Sequence, residues 1–420
     1  MTVSSKEYGS MNANARELAA RFDIEKLTAE FYADPYPVYR ALREHEPVKR
    51  MPNGSWFLTR YDDLVSAYKN TRVFSSDKKK EFLPKYGASL LYEHHTTSLV
   101  FNDPPAHTRV RRLIMGALSP RAIAEMEPYL IALVDRLLDD LAAKGDVDLI
   151  DDFAAAIPIE VIGNLLDVPR EEREPLRDWS LAILGALEPV ISAEAFARGN
   201  TAVQDFLAYL EVLVARRRAK PGNPERDVLT RLIQGEDGER LTEKELLHNC
   251  IFLLNAGHET TTNLIGNGLV ALSRFPAQKK RLIEQPDLIK TAVEEILRYE
   301  SSNQLGNRMT TEQVELGGVT LGPGTSVTLC IGAANRDPAQ FADPETFDIG
   351  RTPNRHLAFA TGAHQCAGMA LARLEGAIAI SRFLARFPDY APNGEPLRGG
   401  RARFRGFLKV PCVVSGKPSW

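Results

Sequence analysis

The sequence predicts one mainly helical body with minor β-sheets. Three observations carry that expectation. Apolar residues recur at helical spacing through much of the chain, as in Leu130, Leu133, Leu137, Leu138 and Leu141. A helical run from 242 to about 275 is long enough, at roughly 1.5 Å per residue, to cross most of a domain. Strand signals are short and late, and neither an internal repeat nor a βαβ alternation with a phosphate-binding glycine fingerprint is visible.

Taken in order, a polar start gives way at Asp34-Pro35-Tyr36-Pro37 to a short helix. WFLTRY reads as strand and YDDLVSAYKN as the next helix. Residues 74–101 are mixed in character, which predicts an irregular covering loop. Asp103-Pro104-Pro105 breaks any preceding element, and helices then fit 107–118 and 127–144. Helical patterns continue over 150–219 with interruptions near Pro169 and Pro189, and PGNPERD at 221–227 is a loop. Thr242 with Glu245 forms a capping-box pattern at the start of the long run. Helices also fit 277–284 and 287–300, with Pro286 suited to the start of the second. Strands are expected at 314–316, 319–321, 326–331 and within LKVPCVV near the end. No linker divides the chain, so 1–420 reads as a single domain with 1–29 as a partly ordered N-terminal extension.

Of the 420 residues, 44% are hydrophobic and 25% charged, the balance of a folded protein. A net charge of −3 gives no overall cationic bias of the kind that non-specific nucleic-acid binding needs. Cys250, Cys330, Cys366 and Cys412 are too scattered for a zinc knuckle and too few for a disulfide scaffold, which fits a reducing cytoplasm. The opening segment has no basic stretch followed by an apolar region, and no apolar run reaches membrane-spanning length.

Chemistry concentrates in two segments. HLAFATGAHQCAGMALARLEGAIAISRFLARF places Cys366 in a loop just before an apolar helix. Gly362 and Gly368 let backbone approach a bulky planar partner, and Phe359 can cover the thiolate side of it. Backbone N–H groups at the helix start favour a negative sulfur. A lone cysteine is ordinarily a packed thiol, and Cys250, Cys330 and Cys412 read that way. In FLLNAGHETTTNLIGNG, small Ala256 and Gly257 leave room beside the helix. The Thr260 hydroxyl competes there for the Ala256 carbonyl, which is expected to loosen one turn so that it can hold a small ligand and water. A zinc-protease pattern fails because Thr262 stands where the second histidine belongs. Glu295 and Arg298 share a helix face, and His107 and Arg111, four apart, can face one anion.

The cysteine loop resembles the haem-binding loop of the cytochrome P-450 family, Phe-Gly-x-Gly-x-His/Arg-x-Cys-x-Gly. Phe359, Gly362, His364, Cys366 and Gly368 match, while Ala360 replaces the first glycine. Its methyl group is expected to exclude a strongly left-handed backbone. The long-helix segment is similar to the family's Ala/Gly-Gly-x-Asp/Glu-Thr motif, and EEILRY to its Glu-x-x-Arg motif.

The resemblance covers about 30–415 and is strongest to soluble bacterial members. It implies a triangular helical prism enclosing haem b between the long helix and the cysteine loop. It makes Cys366 the iron ligand, Thr260 the hydrogen-bond partner of dioxygen and Glu259 the source of protons. Ala256, Gly257, Phe359, Gly362 and Gly368 would border the cofactor, and His107, Arg111, Arg308 and His356 would approach its propionates. Glu295 and Arg298 would join Arg351 of FDIGR in a structural network. Arg109 and Arg112 stay open between solvated charges and docking of an acidic electron donor.

The implied reaction is RH + O2 + two electrons + two protons giving ROH + H2O. Electrons would come from NAD(P)H through a ferredoxin reductase and a ferredoxin, since no flavin or iron–sulfur domain is evident. A pocket wall drawn from 80–101, 180–196, Asn255, 303–305 and Phe404 suits a small lipophilic or aromatic substrate. The alternatives are a peroxide-driven peroxygenase and a non-catalytic haem carrier or gas sensor. Retention of both Glu259 and Thr260 favours O2 activation.

Overall fold

The computed structural model describes residues 5–224, 227–235 and 240–414. The loop expected at 221–227 therefore lies partly outside the described residues.

The axis of the molecule is the 32-residue helix Glu243–Arg274. Its start is fixed by the expected capping box: the Glu245 N–H donates to Thr242 Oγ1 at 3.2 Å, and the Thr242 N–H donates to Glu245 Oε2 at 2.9 Å. Helices Ala156–Leu165, Leu176–Gly185, Ala193–Ala219 and Met369–Arg386 pack around it, so apolar residues recur on all its faces.

Helix Pro120–Lys144 starts earlier than the sequence suggested. Ser119 caps it and Pro120 fills the first position, whereas Pro128, which reads as a boundary, lies inside the helix.

The segment expected to be irregular contains two short helices, Lys79–Tyr86 and Leu90–Thr97, followed by a 3-10 turn at Leu99–Phe101. Two-turn helices are held by tertiary packing, so their periodicity is weak in sequence. Helix Ser5–Arg21 packs on Tyr36–His45, with Ala19, Phe22 and Ile24 buried in a core shared with Phe31, Tyr39 and Phe57.

The largest sheet has the order Val48–Arg50, Trp56–Leu58, Ser326–Cys330, Leu305–Thr310, Phe74–Ser75. Only the pair Trp56–Leu58 with Ser326–Cys330 is parallel. Leu305–Thr310 was not expected, because Gly306 and the polar Asn307 and Arg308 obscure strand alternation. Glycine is needed at 306, where a Cβ would lie 2.3 Å from Tyr68 Oη. The hairpin of Val314–Leu316 with Val319–Leu321 occurs as expected, and Pro411–Val413 pairs with Asp146–Asp148 and Ala391–Pro392. No helix among the described residues is long and apolar enough to cross a membrane.

Candidate active site

Cys366 lies at the end of a tight loop. The Ala360 N–H donates to Leu357 O at 2.8 Å, and the Cys366 N–H donates back to Phe359 O at 2.9 Å. These bonds turn the chain through Ala360 at φ +52°, a left-handed conformation. The expectation that its methyl group would exclude that geometry is corrected: the closing bonds impose it, at a strain of about 1–2 kcal/mol for an L-residue. Gly362, at φ +76°, has no such latitude, since a Cβ there would lie 2.6 Å from Tyr68 O.

Cys366 is the one exposed cysteine of the four; Cys250, Cys330 and Cys412 are buried, and burial pushes their thiols up to about 12, 12 and 11. The Cys366 sulfur is nonetheless surrounded by dense protein. That mass raises its pKa, while the Gly368 N–H and the Arg111 and Arg373 guanidinium groups pull the other way by stabilising a thiolate. A Cβ on Gly368 would meet nothing within 4 Å, so there is room beside this residue. Phe359 is half-buried beneath the Arg373 guanidinium, 4.8 Å from its ring centre. No cluster of three or more His, Cys, Asp or Glu side chains among the described residues could hold a metal ion. The site offers one soft ligand, not a chelating set.

On the long helix, Phe252, Leu253, Ala256, Gly257 and Thr260 are only half-buried, while Leu254, Asn255, His258 and Glu259 between them are buried. The open residues recur at helical spacing and form a stripe bordering an internal space. Thr260 Oγ1 donates to Ala256 O at 2.7 Å, as expected. The turn is nevertheless not loosened, and helix runs unbroken through it. A carbonyl has two lone pairs and can accept the hydroxyl without leaving the helical ladder. Gly257 also serves packing, since a Cβ would lie 2.4 Å from Ile162 Cδ1.

Glu259 is buried, its Oε1 accepts from Arg401 Nη1 at 2.5 Å, and its Oε2 has no partner. Burial raises its pKa to about 7, against the pull of Arg401 and with a further push from Glu188. An acid poised near neutrality can both hold and release a proton at working pH.

A second group gathers beside the cysteine loop. His107 is 2% exposed with neither ring nitrogen partnered, and its ring centre lies 3.9 Å from that of His364. Arg308 stacks on Tyr68 at 5.1 Å and donates through Nη1 to Asn307 O at 2.7 Å, leaving Nε unpartnered. Arg111 Nη2 donates to Gln365 O at 2.7 Å. His364 is pushed down to about 2 by burial and by Arg308, His107 and Arg111. The nearby acid, Asp103, is occupied by Ser75 Oγ and the Ser76 N–H. Buried donors without an acceptor are costly, so this set fits a bound dianion such as a pair of propionates.

His356 is placed elsewhere. Its Nε2 lies 3.1 Å from Glu294 Oε2, and its Nδ1 accepts from the Ala358 N–H at 3.2 Å. Burial alone would raise the Glu294 pKa, but His356 and Arg373 bring it down to about 2. His364, which matched the loop motif without being given a role, is the histidine the fold brings to the anion cluster; its signal was its position two residues before the cysteine. Arg109 pairs with Glu245 and donates to Arg240 O at 3.1 Å, tying it to the start of the long helix, while Arg112 is exposed.

The cysteine loop hangs from an internal ionic frame. Glu295 and Arg298 are fully buried and joined by two 2.8 Å bonds. Glu295 also accepts from the Asp348 N–H at 2.9 Å, Arg351 Nε at 3.2 Å and Asn354 Nδ2 at 3.1 Å. Arg298 donates to the carbonyls of Asn335, Pro344 and Thr346. Every charge is matched, as burial requires.

Comparison with known proteins agrees with this geometry. The family profile described as Cytochrome P450 matches residues 178–397. The chain is 38% identical to the biotin biosynthesis cytochrome P450 of Bacillus subtilis (strain 168), over 89% of this chain and 96% of that one. It is also 38% identical to the vitamin D(3) 25-hydroxylase of Pseudonocardia autotrophica, over 87% and 89% of the two chains. Among solved structures, P450BioI in complex with hexadec-9Z-enoic acid ligated acyl carrier protein superposes with a TM-score of 0.86 at 36% identity, covering 92% of this chain and 100% of that one. CYP109E1 from Bacillus megaterium in complex with testosterone gives 0.84 at 30% identity, covering 93% and 100%. An exposed thiol in a strained loop, an acid and an alcohol on the long helix, and similarity along nearly the whole chain lead to one conclusion: the protein belongs to the cytochrome P450 family and is an oxidoreductase of the monooxygenase type.

Proposed function

We propose that the protein holds haem b through the Cys366 thiolate and inserts one atom of O2 into a small lipophilic or aromatic substrate, by hydroxylation or oxidative dealkylation. The observation that carries this reading is the pairing of a single exposed thiol with a neighbouring set of buried nitrogens that lack acceptors, on His107, His364 and Arg308. When bound, haem supplies dioxygen binding and the oxidising chemistry. The chain's own residues do the rest. The Gly368 N–H, Arg111 and Arg373 favour the ionised sulfur. Glu259 holds a proton on its unpartnered Oε2 near neutral pH, and Thr260 turns its hydroxyl lone pairs outward because its proton is committed to Ala256 O.

Electrons would come from a separate ferredoxin and its NAD(P)H-dependent reductase. One exposed cysteine offers no ligand set for an iron–sulfur cluster within the chain. A cytoplasmic location belongs to this reading and is supported by four unpaired cysteines. A lipophilic substrate is supported by relatives whose names include a vitamin D(3) hydroxylase and a complex with testosterone. The buried Glu259 acid next to the half-buried Thr260 hydroxyl favours O2 activation over a peroxide-driven route or simple haem carriage.

The test is the carbon monoxide spectrum of the reduced protein, followed by turnover with a ferredoxin and reductase. The red-shifted Soret band of thiolate ligation is expected, and it should vanish in Cys366→Ala. Retention of that band in the variant would end the proposal. Rapid product formation from hydrogen peroxide alone would shift it to a peroxygenase.

A further inference from the structure

We propose that His94, His95 and His248 form an acid-sensitive latch: it holds the covering segment, residues 79–101, against the long helix while all three imidazoles are neutral, and releases it when they take up protons.

Three imidazoles run across one seam. His94 and His95 lie on helix Leu90–Thr97 and His248 on the long helix. Ring centres are 5.1 Å apart for His94 and His95 and 5.6 Å for His94 and His248. The three residues are 2–3% exposed, and His94 Nδ1, His95 Nε2 and His248 Nδ1 have no hydrogen-bond partner. Phe82, Tyr86 and Phe101 surround His95 with ring centres at 5.8, 5.4 and 5.8 Å. An aromatic, desolvated setting of this kind accepts a neutral imidazole and opposes a charged one.

The groups facing the seam act mostly in the same direction. Burial, then Lys85, Arg403 and His248, push His95 down to about 3. Burial, then His95 and His248, hold His94 well below the ordinary histidine value. His248 is lowered by burial, against the pull of Glu93 and with a further push from Lys244. Glu93 Oε1 lies 3.3 Å from His248 Nε2 and 3.0 Å from Lys244 Nζ. Burial alone would raise the Glu93 pKa, but Lys244 and His248 bring it below its usual value, so this acid stays charged. Helix Ala193–Ala219 meets the segment through Gly199 and Asn200, which carry no charge.

The seam also sits where parting it has an effect. His248 lies one turn before Phe252, the first residue of the half-buried stripe, so separation of His94 from His248 uncovers the space that the stripe borders. Two-turn helices held by tertiary packing are the parts of a fold that open most easily.

The sign follows from the protons each form binds. In the closed form His94 and His95 stay neutral far into the acid range, whereas in the open form both titrate near the ordinary value of about 6.5. Closure is therefore fully favoured above about pH 6.5 and weakens as pH falls toward the closed-state values. Between about pH 7.5 and about pH 5 each freed imidazole favours opening by about 30-fold, so two together give roughly 1,000-fold.

The experiment is hydrogen–deuterium exchange of the full chain with its haem, read by mass spectrometry from about pH 7.5 to about pH 5, with labelling times scaled for intrinsic exchange. Exchange in 79–101 should rise by at least about 100-fold relative to residues 130–141 of helix Pro120–Lys144. In the double variant His94→Leu, His95→Phe that rise should shrink to about threefold or less, whatever the variant's starting rate. Glu93→Gln removes the exposed acid that tolerates a charge on His248, and should move the onset of opening to higher pH. Association of a triazole whose ring stays neutral over this range, read by the Soret shift, should quicken with acid in the wild type and not in the double variant. No rise in the wild type, a rise shared by residues 130–141, a rise kept in the double variant, an onset not raised in Glu93→Gln, or triazole association indifferent to pH would each overturn the proposal.

Discussion

Replacing Ala360 by glycine tests whether the cysteine loop stores strain. Ala360 sits at φ +52°, held by the closing bonds from the Ala360 N–H to Leu357 O and from the Cys366 N–H to Phe359 O. Relief of left-handed strain contributes about 1–2 kcal/mol, and the extra freedom of glycine in the unfolded chain offsets about 0.4–1 kcal/mol of it. Ala360→Gly should therefore stabilise the folded protein by about 0.5–1 kcal/mol. For a chain of this size that is a rise of only about 1 °C in Tm, so urea midpoints compared at constant m-value are the better assay. The control is Gly362→Ala, where a Cβ would combine φ +76° with a 2.6 Å approach to Tyr68 O. It should lose about 2–3 kcal/mol and weaken haem retention. A lower urea midpoint for Ala360→Gly would refute the strain argument, because the closing bonds would then not be forcing the alanine.

Three further predictions concern other parts of the molecule. Glu295→Ala leaves Arg298 buried without its counter-ion and releases Asp348, Arg351 and Asn354; a loss of about 3–5 kcal/mol is expected in chemical denaturation, and a loss under 1 kcal/mol would contradict the frame described above. Glu375 is buried with no partner on Oε2, and burial raises its pKa to about 8. Its folded-state pKa lies above the unfolded one, so the stability linked to its proton is complete below about pH 4 and is lost as pH rises through 8. Glu375→Gln should flatten that decline in a pH series of denaturation curves, and an unchanged slope would show that Glu375 ionises normally. Thr260→Ala should keep substrate binding while diverting electrons from product to peroxide; unchanged coupling of NAD(P)H use to product would remove Thr260 from the reaction.

The sequence made the long helix legible because its capping box and its length leave few alternatives, and the cysteine loop because its residue types stand at fixed spacings around one ligand. It was less informative where tertiary packing decides. The strand Leu305–Thr310 is an internal strand of its sheet, yet Gly306 is there to admit Tyr68 and Arg308 to reach the anion cluster, so neither follows an apolar alternation. The two short helices between 79 and 97 take their order from neighbours: Leu91 N–H donates to Asn200 Oδ1 at 3.1 Å, and Tyr86 Oη donates to Ala186 O at 2.6 Å. His356 and His364 show the same limit at the site. Both flank the loop in sequence, and only three-dimensional placement gives one to Glu294 and the other to the anion cluster.

The Glu295 frame also bears on how the protein is made. Three of its donors, from Asp348, Arg351 and Asn354, lie 53, 56 and 59 residues downstream of the carboxylate they satisfy. During synthesis Glu295 and Arg298 leave the ribosome well before those partners, and this corner cannot set until they follow. Messages truncated inside that interval should therefore yield chains open to proteases, with the cradle for the metal assembled only as translation nears its end.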